Sequence, residues 1–179
     1  AAAQHSQSLY NMFAAIPGVK VVVPSNPYDA KGLLMSAIQE DNLVVFSEDK
    51  TLLGQKGNVP EEPYTIEIGK ANVTREGDDL TIVAIGKMVA VAEETAEKLA
   101  EDQVSVEVID LRSVSPWDQE TVLDSVKKTG RLIVIDESNP QCNIAGDVAS
   151  VIGDVGFDYL DGPIKTFMEI TFICSTITK

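Results

Sequence analysis

Apolar residues follow two alternating patterns along this chain: short β-branched runs, and longer stretches in which apolar positions recur at helical spacing. The short runs predict buried strands at 19–24, 42–48, 80–85, 104–111, 131–136 and from about 163. Apolar positions three and four residues apart predict helices at 27–39, 87–102, 116–129 and 144–155. Strands that alternate with helices indicate an α/β fold with a mainly parallel sheet and helices on both of its faces.

Local signals refine two of these helices. In the stretch "SPWD", Ser115, Pro116 and Asp118 match a capping box, with Ser115 as the N-cap and Pro116 as the first helical residue. Gly130 follows two lysines at the other end of the same helix and predicts a left-handed stop. For the helix at 87–102 we expect an inward-facing stripe formed by Met88, Val91, Ala92, Thr95 and Leu99.

A polar stretch with turn residues at both ends, "GQKGNVPEEP", divides the chain. We expect a first unit at 1–54, which holds a β-α-β motif with parallel strands, then a linker at 55–63 and a second unit at 64–179. Residues 167–179 form an atypical tail of the second unit, because they carry many β-branched residues and no proline.

The charge of the chain narrows its possible partners. The sequence holds 28 acidic and 14 basic residues, a formal net charge of −14, which repels nucleic acid and anionic lipid. No apolar run reaches the roughly 20 residues that a membrane span needs. Cys142 and Cys174 stand alone without metal-type spacing. We therefore expect a cytoplasmic protein with free thiols and with no nucleic-acid or membrane partner.

Charged residues mark the ends of two predicted strands. Asp110 and Arg112 lie at the end of the strand at 104–111, and Asp136 and Glu137 lie at the end of the next. In open α/β sheets, ligands bind outside the carboxyl ends of the strands. These residues are therefore candidates for a site, with solvated loop starts as the alternative. A Ser-His-Asp order is excluded, because His5 near the start is the single histidine.

Longer stretches of the sequence indicate a particular protein family. The segments "HSQS", "GVKVVVPSNPYDAKGLLMSAIQEDNLVVFSE", "VEVIDLRSVSPWD" and "SVKKTGRLIVIDES" resemble the β subunit of thiamine-diphosphate-dependent 2-oxo acid dehydrogenases, over residues 3–165. Within that family, "IDESNPQC" is most similar to the acetoin dehydrogenase branch. The resemblance implies that 64–179 is a transketolase-type C-terminal domain, with three α/β/α layers and a mostly parallel sheet. It implies that 1–54 corresponds to the last part of a pyrimidine-binding domain.

The same resemblance implies roles for individual residues. His5 occupies the position of a histidine that assists proton transfer beside the cofactor and meets the incoming lipoyl group. Asp161, in "YLDGP", matches an acidic position that binds the basic subunit-binding domain of an acyltransferase core, with a turn aspartate as the alternative. A potassium ion is implied at "AIQEDN", where a bare helix end is the alternative and glutamate replaces the family's aspartate. Its implied ligands are Ala37, Ile38, Glu40 and Asn42.

The reaction implied by the resemblance is oxidative cleavage or decarboxylation, with transfer of the acyl group to a lipoyl group. The cofactor is thiamine diphosphate, whose diphosphate and magnesium ion are held by a separate α subunit; this sequence has no G-D-G motif for them. We expect no cofactor binding and no turnover by the isolated chain. The alternative is a non-catalytic assembly module. Because the family's β subunits pair through their C-terminal domains, we also expect a homo-oligomer.

Overall fold

The computed structural model describes residues 7–168. Helices span Tyr10–Ala14 (α1), Pro27–Gln39 (α2), Met88–Glu101 (α3), Gln119–Thr129 (α4) and Ile144–Val155 (α5), and a short 3-10 helix spans Phe157–Tyr159. Strands span Lys20–Val22 (β1), Val44–Phe46 (β2), Asn72–Arg75 (β3), Leu80–Ala84 (β4), Val106–Asp110 (β5), Ser113–Ser115 (β6), Leu132–Asp136 (β7) and Lys165–Met168 (β8). The six strands and four helices expected from the sequence are present, while α1, β3 and β6 are additional. Within these residues, no helix is both long and apolar enough to cross a membrane.

The larger sheet has five strands in the order β3-β5-β4-β7-β8. β4 pairs in parallel with β5 and β7, and β7 with β8, while β3 is antiparallel at one edge. Helix α3 covers one face, where it packs against Ile82 and Val108, and helices α4 and α5 cover the other, with Val83 and Val134. Burial on both faces explains why β4 is almost entirely apolar and why all five residues of β5 are buried. The predicted α/β class with a mainly parallel sheet is confirmed.

A smaller sheet has three strands in the order β2-β1-β6. β1 and β2 are parallel and flank α2 in the chain, as the β-α-β pattern predicted. β6 follows β5 in sequence but pairs antiparallel with β1. Val21 of β1 and Val23, just beyond that strand, share one buried core with Val83 and Ile109 of the larger sheet. The two sheets are therefore joined by a continuous apolar core.

The predicted capping box at "SPWD" is wrong. Ser115 belongs to β6, and its hydroxyl donates to the Val19 carbonyl at 3.2 Å. The N-cap of α4 is Asp118, whose carboxylate accepts a hydrogen bond from the Thr121 amide at 3.2 Å. Asp118 also accepts from the Ala71 amide at 3.1 Å. Pairing with β1 keeps the chain extended through Ser115, so the helix begins only after the next residue able to cap it.

The predicted inward stripe of α3 is correct at Met88, Ala92 and Leu99 and wrong at Val91 and Thr95. Val91 is 46% exposed and Thr95 is exposed, whereas Val89 and Ala96, which the prediction left out, are buried against the sheet. The observed inward face also has helical spacing, so periodicity alone does not separate it from the predicted one. The small side chains of the two alanines let the helix approach β4 and β5 closely, and this packing decides which face turns inward.

The predicted stop at Gly130 is confirmed. Its φ of 68° lies in the left-handed region, and its amide donates to the Val126 carbonyl at 2.8 Å. The Gly130 carbonyl accepts from the Asp161 amide at 2.7 Å. A Cβ at Gly130 would lie 2.5 Å from Asp161 Oδ2. The turn after α4 therefore also fixes the position of Asp161.

Candidate active site

The parallel strands of the two sheets bring their carboxyl ends together. The Ser25 hydroxyl, beyond β1, donates to Asp110 at the end of β5. Lys87, beyond β4, pairs with Asp49, beyond β2, at 3.7 Å. Ligands of open α/β sheets bind at such an edge. The polar side chains gathered here form what we call the carboxyl-edge site: Ser8, Tyr10, Ser25, Asp29, Asp49, Lys87, Asp110, Arg112, Asp136 and Glu137.

One half of the site is a buried polar cluster. Asp29 and Asp110 are both 0% exposed. The Arg112 guanidinium binds Asp29 Oδ1 through Nη2 at 2.6 Å. Asp110 accepts hydrogen bonds from the Ser25 hydroxyl and, at 2.9 Å, from the Arg112 amide. Two buried carboxyl groups thus face one guanidinium, which concentrates negative charge in a region of low dielectric.

Local structure holds these groups in place. The Asn26 side chain caps α2 by accepting from the Asp29 amide at 2.9 Å, so Asp29 lies in the first turn, where the helix dipole favours an anion. Arg112 has a φ of 58°, which turns the chain sharply between β5 and β6. Sequence reasoning named Asp110 and Arg112 but missed Ser25 and Asp29. Both follow the strand at 19–24, and the strand-end rule applied there would have found them.

Burial changes the acidity of Asp110. It raises the pKa of the Asp110 carboxyl to about 7, against the lowering effect of the hydrogen bonds from Ser25 and the Arg112 amide. The neighbouring Asp29 carboxyl also raises that pKa, and the Arg112 guanidinium lowers it. Near neutral pH, the cluster therefore gains or loses a proton at Asp110.

We expect Asp110→Asn to flatten the dependence of stability on pH. Folding raises the pKa of the Asp110 carboxyl from 3.8 to about 7, so the protonated form favours the folded state. This stabilisation is fully present at pH values below 3.8 and is lost as the pH rises through about 7. Asp110 thus lowers the free energy of unfolding by up to about 4 kcal/mol over that window. Urea unfolding at several pH values measures the slope. The exposed control Asp154→Asn should keep the wild-type slope, and an unchanged slope in Asp110→Asn would contradict the assignment.

The other half of the site is centred on Glu137. Its carboxylate forms an ion pair with Lys87 and accepts a hydrogen bond from the Ser8 hydroxyl at 2.7 Å. Burial raises the pKa of Glu137, although the contacts with Lys87 and Ser8 act in the opposite direction. Burial also acts to raise the pKa of Asp49, but hydrogen bonds from Thr51 outweigh it and the net shift is downward. Lys87 therefore lies between two carboxyl groups from different sheets.

Tyr10 joins the N-terminal segment to the same edge. Its ring is 3% exposed and packs in the main core, and its hydroxyl donates to Asp136, the last residue of β7. Asp136 also accepts from the Ser138 hydroxyl and, at 3.0 Å, from the Ser138 amide. Burial, then the Asp136 charge, raises the pKa of the Tyr10 phenol above its ordinary value. Sequence reasoning named Asp136 and Glu137 but not their partners Ser8 and Tyr10, which precede the first predicted strand.

The family resemblance implied roles for His5, for the end of α2 and for Asp161. His5 falls outside the described residues. Ala37 and Ile38 lie in the last turn of α2, Glu40 is its C-cap, and Asn42 follows. The Glu40 carboxylate accepts from Lys20 Nζ at 2.5 Å and from Asn42 Nδ2 at 3.0 Å.

Asp161 lies between the 3-10 helix and β8 and lines a cavity of about 410 Å³. Phe157, Leu160 and Ile164 supply the apolar part of its wall. Phe157 is 71% exposed. An acidic group beside one exposed aromatic side chain is suited to a partner segment that carries both a cation and an apolar residue.

Neither a carboxylate-rich metal cluster nor a glycine-rich phosphate loop is found in the part of the chain that the structure describes. Within residues 7–168, no group of three or more His, Cys, Asp or Glu side chains is arranged to hold a metal ion. The strand-to-helix turn at Gly86 has a φ of 55° but lacks a glycine-rich phosphate loop. We therefore assign no diphosphate or magnesium contact to these residues.

Comparison with known proteins finds family models that match both parts of the chain. Residues 69–175 match the family model described as transketolase, C-terminal domain, and residues 1–56 match transketolase, pyrimidine binding domain. A solved structure titled split gene transketolase, inactive beta4 tetramer, aligns with a TM-score of 0.79 over 92% of this chain and 52% of its own. At 23% sequence identity, that likeness shows the fold.

Curated relatives are much closer in sequence. Acetoin:2,6-dichlorophenolindophenol oxidoreductase subunit beta from Bacillus subtilis is 57% identical over 165 residues, and its counterpart from Cupriavidus necator is 50% identical. The pyruvate dehydrogenase E1 component subunit beta of Bacillus subtilis is 49% identical over 161 residues. These alignments cover 92%, 92% and 89% of this chain. The chain spans about half the length of each relative, 48%, 49% and 50% respectively.

Proposed function

The chain belongs to the transketolase family, among the β subunits of thiamine-diphosphate-dependent 2-oxo acid dehydrogenases, and on that premise we propose that it forms part of a β subunit that acts on acetoin. The observation that carries the choice of substrate is the 57% identity to the acetoin oxidoreductase subunit, against 49% to the pyruvate dehydrogenase subunit. The reaction is oxidative cleavage of acetoin, with transfer of the acyl group to a lipoyl group.

Bound thiamine diphosphate supplies a nucleophilic thiazolium carbon and an electron sink for the carbon–carbon bond that breaks. In this proposal, the chain's contribution is proton transfer by His5, because an imidazole both accepts and donates a proton near neutral pH. The diphosphate and magnesium ion are assigned to an α subunit.

Two further assignments belong to the same proposal. A potassium ion lies at the end of α2, held by the carbonyl groups of Ala37 and Ile38 together with Glu40 and Asn42. Oxygen ligands suit such a hard cation, and carbonyl groups at a helix C-terminus have no partner within the helix. The Lys20 ammonium already binds Glu40, so Glu40 is the weakest member of this set.

The second assignment is a docking site for an acyltransferase core at Asp161. The backbone of Asp161 is fixed by its hydrogen bond to Gly130, and its carboxylate lies beside the apolar wall of the 410 Å³ cavity. A basic segment that carries an apolar side chain would meet both features. We also propose that the subunit is a homo-oligomer in solution, as closed two-fold assemblies are the commonest.

A segment exchange tests the proposed reaction. The 165 aligned residues of this chain replace the matching segment of the Bacillus subtilis acetoin oxidoreductase β subunit, and the product is combined with that enzyme's α subunit. With thiamine diphosphate and Mg²⁺, we expect acetoin-dependent reduction of 2,6-dichlorophenolindophenol. His5→Ala should lower the turnover by at least about 100-fold, the usual contribution of general acid–base catalysis.

The control for that experiment is Glu101→Gln, an exposed carboxyl at the far end of α3, which should leave turnover unchanged. Assembly is checked by the mass of the purified complex. An assembled hybrid that binds thiamine diphosphate but does not oxidise acetoin would refute the proposed substrate. An assembled hybrid that fails to bind thiamine diphosphate would favour a non-catalytic assembly module instead.

A further inference from the structure

The turn between β5 and β6 carries the chain from the larger sheet to the smaller one. β5 ends at Asp110 and β6 begins at Ser113, so only Leu111 and Arg112 lie between two strands of different sheets. Arg112 has a φ of 58°, a left-handed backbone that bulky residues rarely adopt. Its carbonyl accepts a hydrogen bond from the Val23 amide, just beyond β1, at 2.8 Å. The turn is therefore held in an unfavourable conformation by its contacts with the residues that follow β1.

Side-chain contacts join this turn to the same part of the chain. The Ser25 hydroxyl donates to the Asp110 carboxyl, and Arg112 Nη2 binds Asp29 Oδ1 at 2.6 Å. Ser25 follows β1, and Asp29 lies in the first turn of α2, which connects the two parallel strands of the smaller sheet. We call these four residues, Ser25, Asp29, Asp110 and Arg112, the inter-sheet cluster. It connects the end of β5 to the β-α-β motif.

The inter-sheet cluster holds more negative than positive charge. Its two carboxyl groups, on Asp29 and Asp110, are both 0% exposed, and the Arg112 guanidinium acts on both of them. When both carboxyl groups are ionised, one negative charge is left without a partner in a region of low dielectric. With a proton on Asp110, the cluster is neutral. A buried charge without a partner is costly, so ionisation of Asp110 favours an arrangement in which water reaches its carboxylate.

The two strands beside β5 place uncharged residues, Asn72 and Ala84, opposite Asp110. The charged groups that act on Asp110 are Asp29, from α2, and Arg112, from the turn itself. Burial, the largest cause, raises the pKa of Asp110 to about 7, and the Asp29 charge acts in the same direction. The hydrogen bonds that Asp110 accepts and the Arg112 charge act in the opposite direction. Asp110 therefore changes its protonation near neutral pH.

Arg112 Nε is a second source of instability in the cluster. It is buried and has no hydrogen-bond partner among the described residues. A buried donor that is left without an acceptor destabilises the arrangement that buries it. The larger sheet is instead held by the pairing of β4 with β5 and β7 and by apolar cores on both of its faces. Parts of a fold with fewer stabilising contacts open locally, at a lower free energy than the core.

We propose that the inter-sheet cluster is a proton-controlled contact between the two sheets. Protonation of Asp110 keeps the turn between β5 and β6 closed against the residues that follow β1. Loss of that proton favours a local opening, in which the turn separates from Ser25 and Asp29 while the larger sheet stays folded. This equilibrium belongs to the chain itself and does not depend on the proposed function.

The direction of the pH effect follows from the protons bound in each form. In the closed form the pKa of Asp110 is about 7, and in an open form that exposes the carboxyl to water it returns to its ordinary value of 3.8. Between these values the closed form binds more protons. The closed form is therefore fully favoured below pH 3.8 and loses that advantage as the pH rises through about 7. At higher pH both forms are ionised, and the equilibrium no longer changes.

Amide hydrogen exchange of the full chain, measured residue by residue by NMR from about pH 5 to about pH 8, tests this proposal. The Val23 amide is the reporter, because its hydrogen bond to the Arg112 carbonyl breaks when the turn opens. After correction for the intrinsic exchange rate, we expect its opening constant to rise at least about tenfold between pH 5 and pH 7, and by less than about twofold from pH 7 to pH 8.

The Thr81 amide separates local opening from global unfolding. It donates to the Arg131 carbonyl, within the larger sheet, at 2.9 Å. We expect its opening constant to be at least about tenfold smaller than that of Val23, because only unfolding of the core exposes it. Low concentrations of urea should raise the Thr81 opening constant steeply and change that of Val23 little, since urea acts in proportion to the surface that is exposed.

Two variants isolate Asp110. Asp110→Asn keeps an oxygen that accepts from the Ser25 hydroxyl but cannot ionise, so Val23 opening should stay constant within about twofold over the same pH range. Ser25→Ala removes a hydrogen bond that lowers the pKa of Asp110, so the rise should continue to a higher pH than in the wild type. Asp154→Asn, at an exposed position on α5, should keep the wild-type profile. If Asp110→Asn does not fold, Ser25→Ala still decides the matter, because Ser25 lies outside the regular elements.

Three results would overturn the proposal. The first is a Val23 opening constant that does not rise between pH 5 and pH 7. The second is a rise that Asp110→Asn retains, or that Ser25→Ala leaves at the wild-type pH. The third is a Val23 amide that opens as rarely as Thr81 and depends as steeply on urea, which means that only global unfolding exposes the turn. None of these measurements involves acetoin or thiamine diphosphate, so each result leaves the proposed function standing.

Discussion

Replacing Arg112 with methionine lowers the free energy of unfolding by about 3 to 5 kcal/mol, because it leaves a buried carboxylate without its cation. The Asp29 side chain is 1% exposed, and its pair with Arg112 Nη2 is 2.6 Å long. After the replacement, the Asn26 amide at 2.8 Å remains as a side-chain donor to Asp29. Asp110 lies close enough to Asp29 to interact with it electrostatically, so loss of the guanidinium also removes the cation that faces both carboxyl groups.

A second substitution tests whether the unpaired charge of Asp29 causes this loss of stability. Asp29→Asn in the Arg112→Met background removes the uncompensated charge and should recover most of the lost stability. Arg131→Met is the matched control, since Arg131 is exposed, and its effect should stay within about 0.5 kcal/mol. Urea unfolding at pH 7 followed by circular dichroism gives the three free energies. A loss below about 1 kcal/mol in Arg112→Met would show that water reaches the cluster and solvates Asp29.

Gly77→Ala prevents stable folding or costs at least about 4 kcal/mol, the range of severe single-residue defects. A Cβ at Gly77 would lie 2.2 Å from the Val106 carbonyl carbon and 2.3 Å from the Glu107 nitrogen. These are backbone atoms of β5, which is paired with β3 on one side and β4 on the other. The strand therefore has no free direction in which to move, and the methyl group overpacks the site.

Gly162→Ala is the control for this substitution. A Cβ at Gly162 meets nothing within 4 Å, so the change should be nearly neutral or slightly stabilising, through the lower entropy of the unfolded chain. Thermal unfolding of the two variants measures the contrast. Equal melting temperatures would mean that the backbone at 77 shifts freely away from β5.

Some features of this protein follow from the sequence alone. The apolar runs predicted β4, β5 and β7 because strands covered on both faces carry apolar residues on both sides. The Gly130 stop was correct because a left-handed backbone favours glycine over other residues. Asp110, Arg112, Asp136 and Glu137 were identified as strand-end residues, because parallel strands place their carboxyl ends at one edge. These are local signals, or consequences of a rule that holds for every parallel sheet.

In other places the local sequence signals were compatible with two arrangements, and tertiary packing selected one of them. The stripe expected on α3 was right at Ala92, but the close approach of Ala92 and Ala96 to the sheet left Val91 exposed. Ser115 was a good N-cap by sequence, but pairing with β1 drew it into a strand and left the cap to Asp118. In both cases the sequence allowed two structures of similar local energy, and contacts distant in sequence separated them.

The composition of the candidate site was decided by the tertiary structure alone. Arg112 meets Asp29 across 83 positions of sequence, and Ser8 meets Glu137 across 129. No periodicity spans such distances. These contacts depend on the strand order within each sheet. They also depend on β6, which follows β5 of the larger sheet in the chain but pairs with β1 in the smaller sheet. The sequence by itself determined which residues stand at the strand ends; the order and register of the strands decided which of them meet, because hydrogen-bond pairing between strands sets those distances.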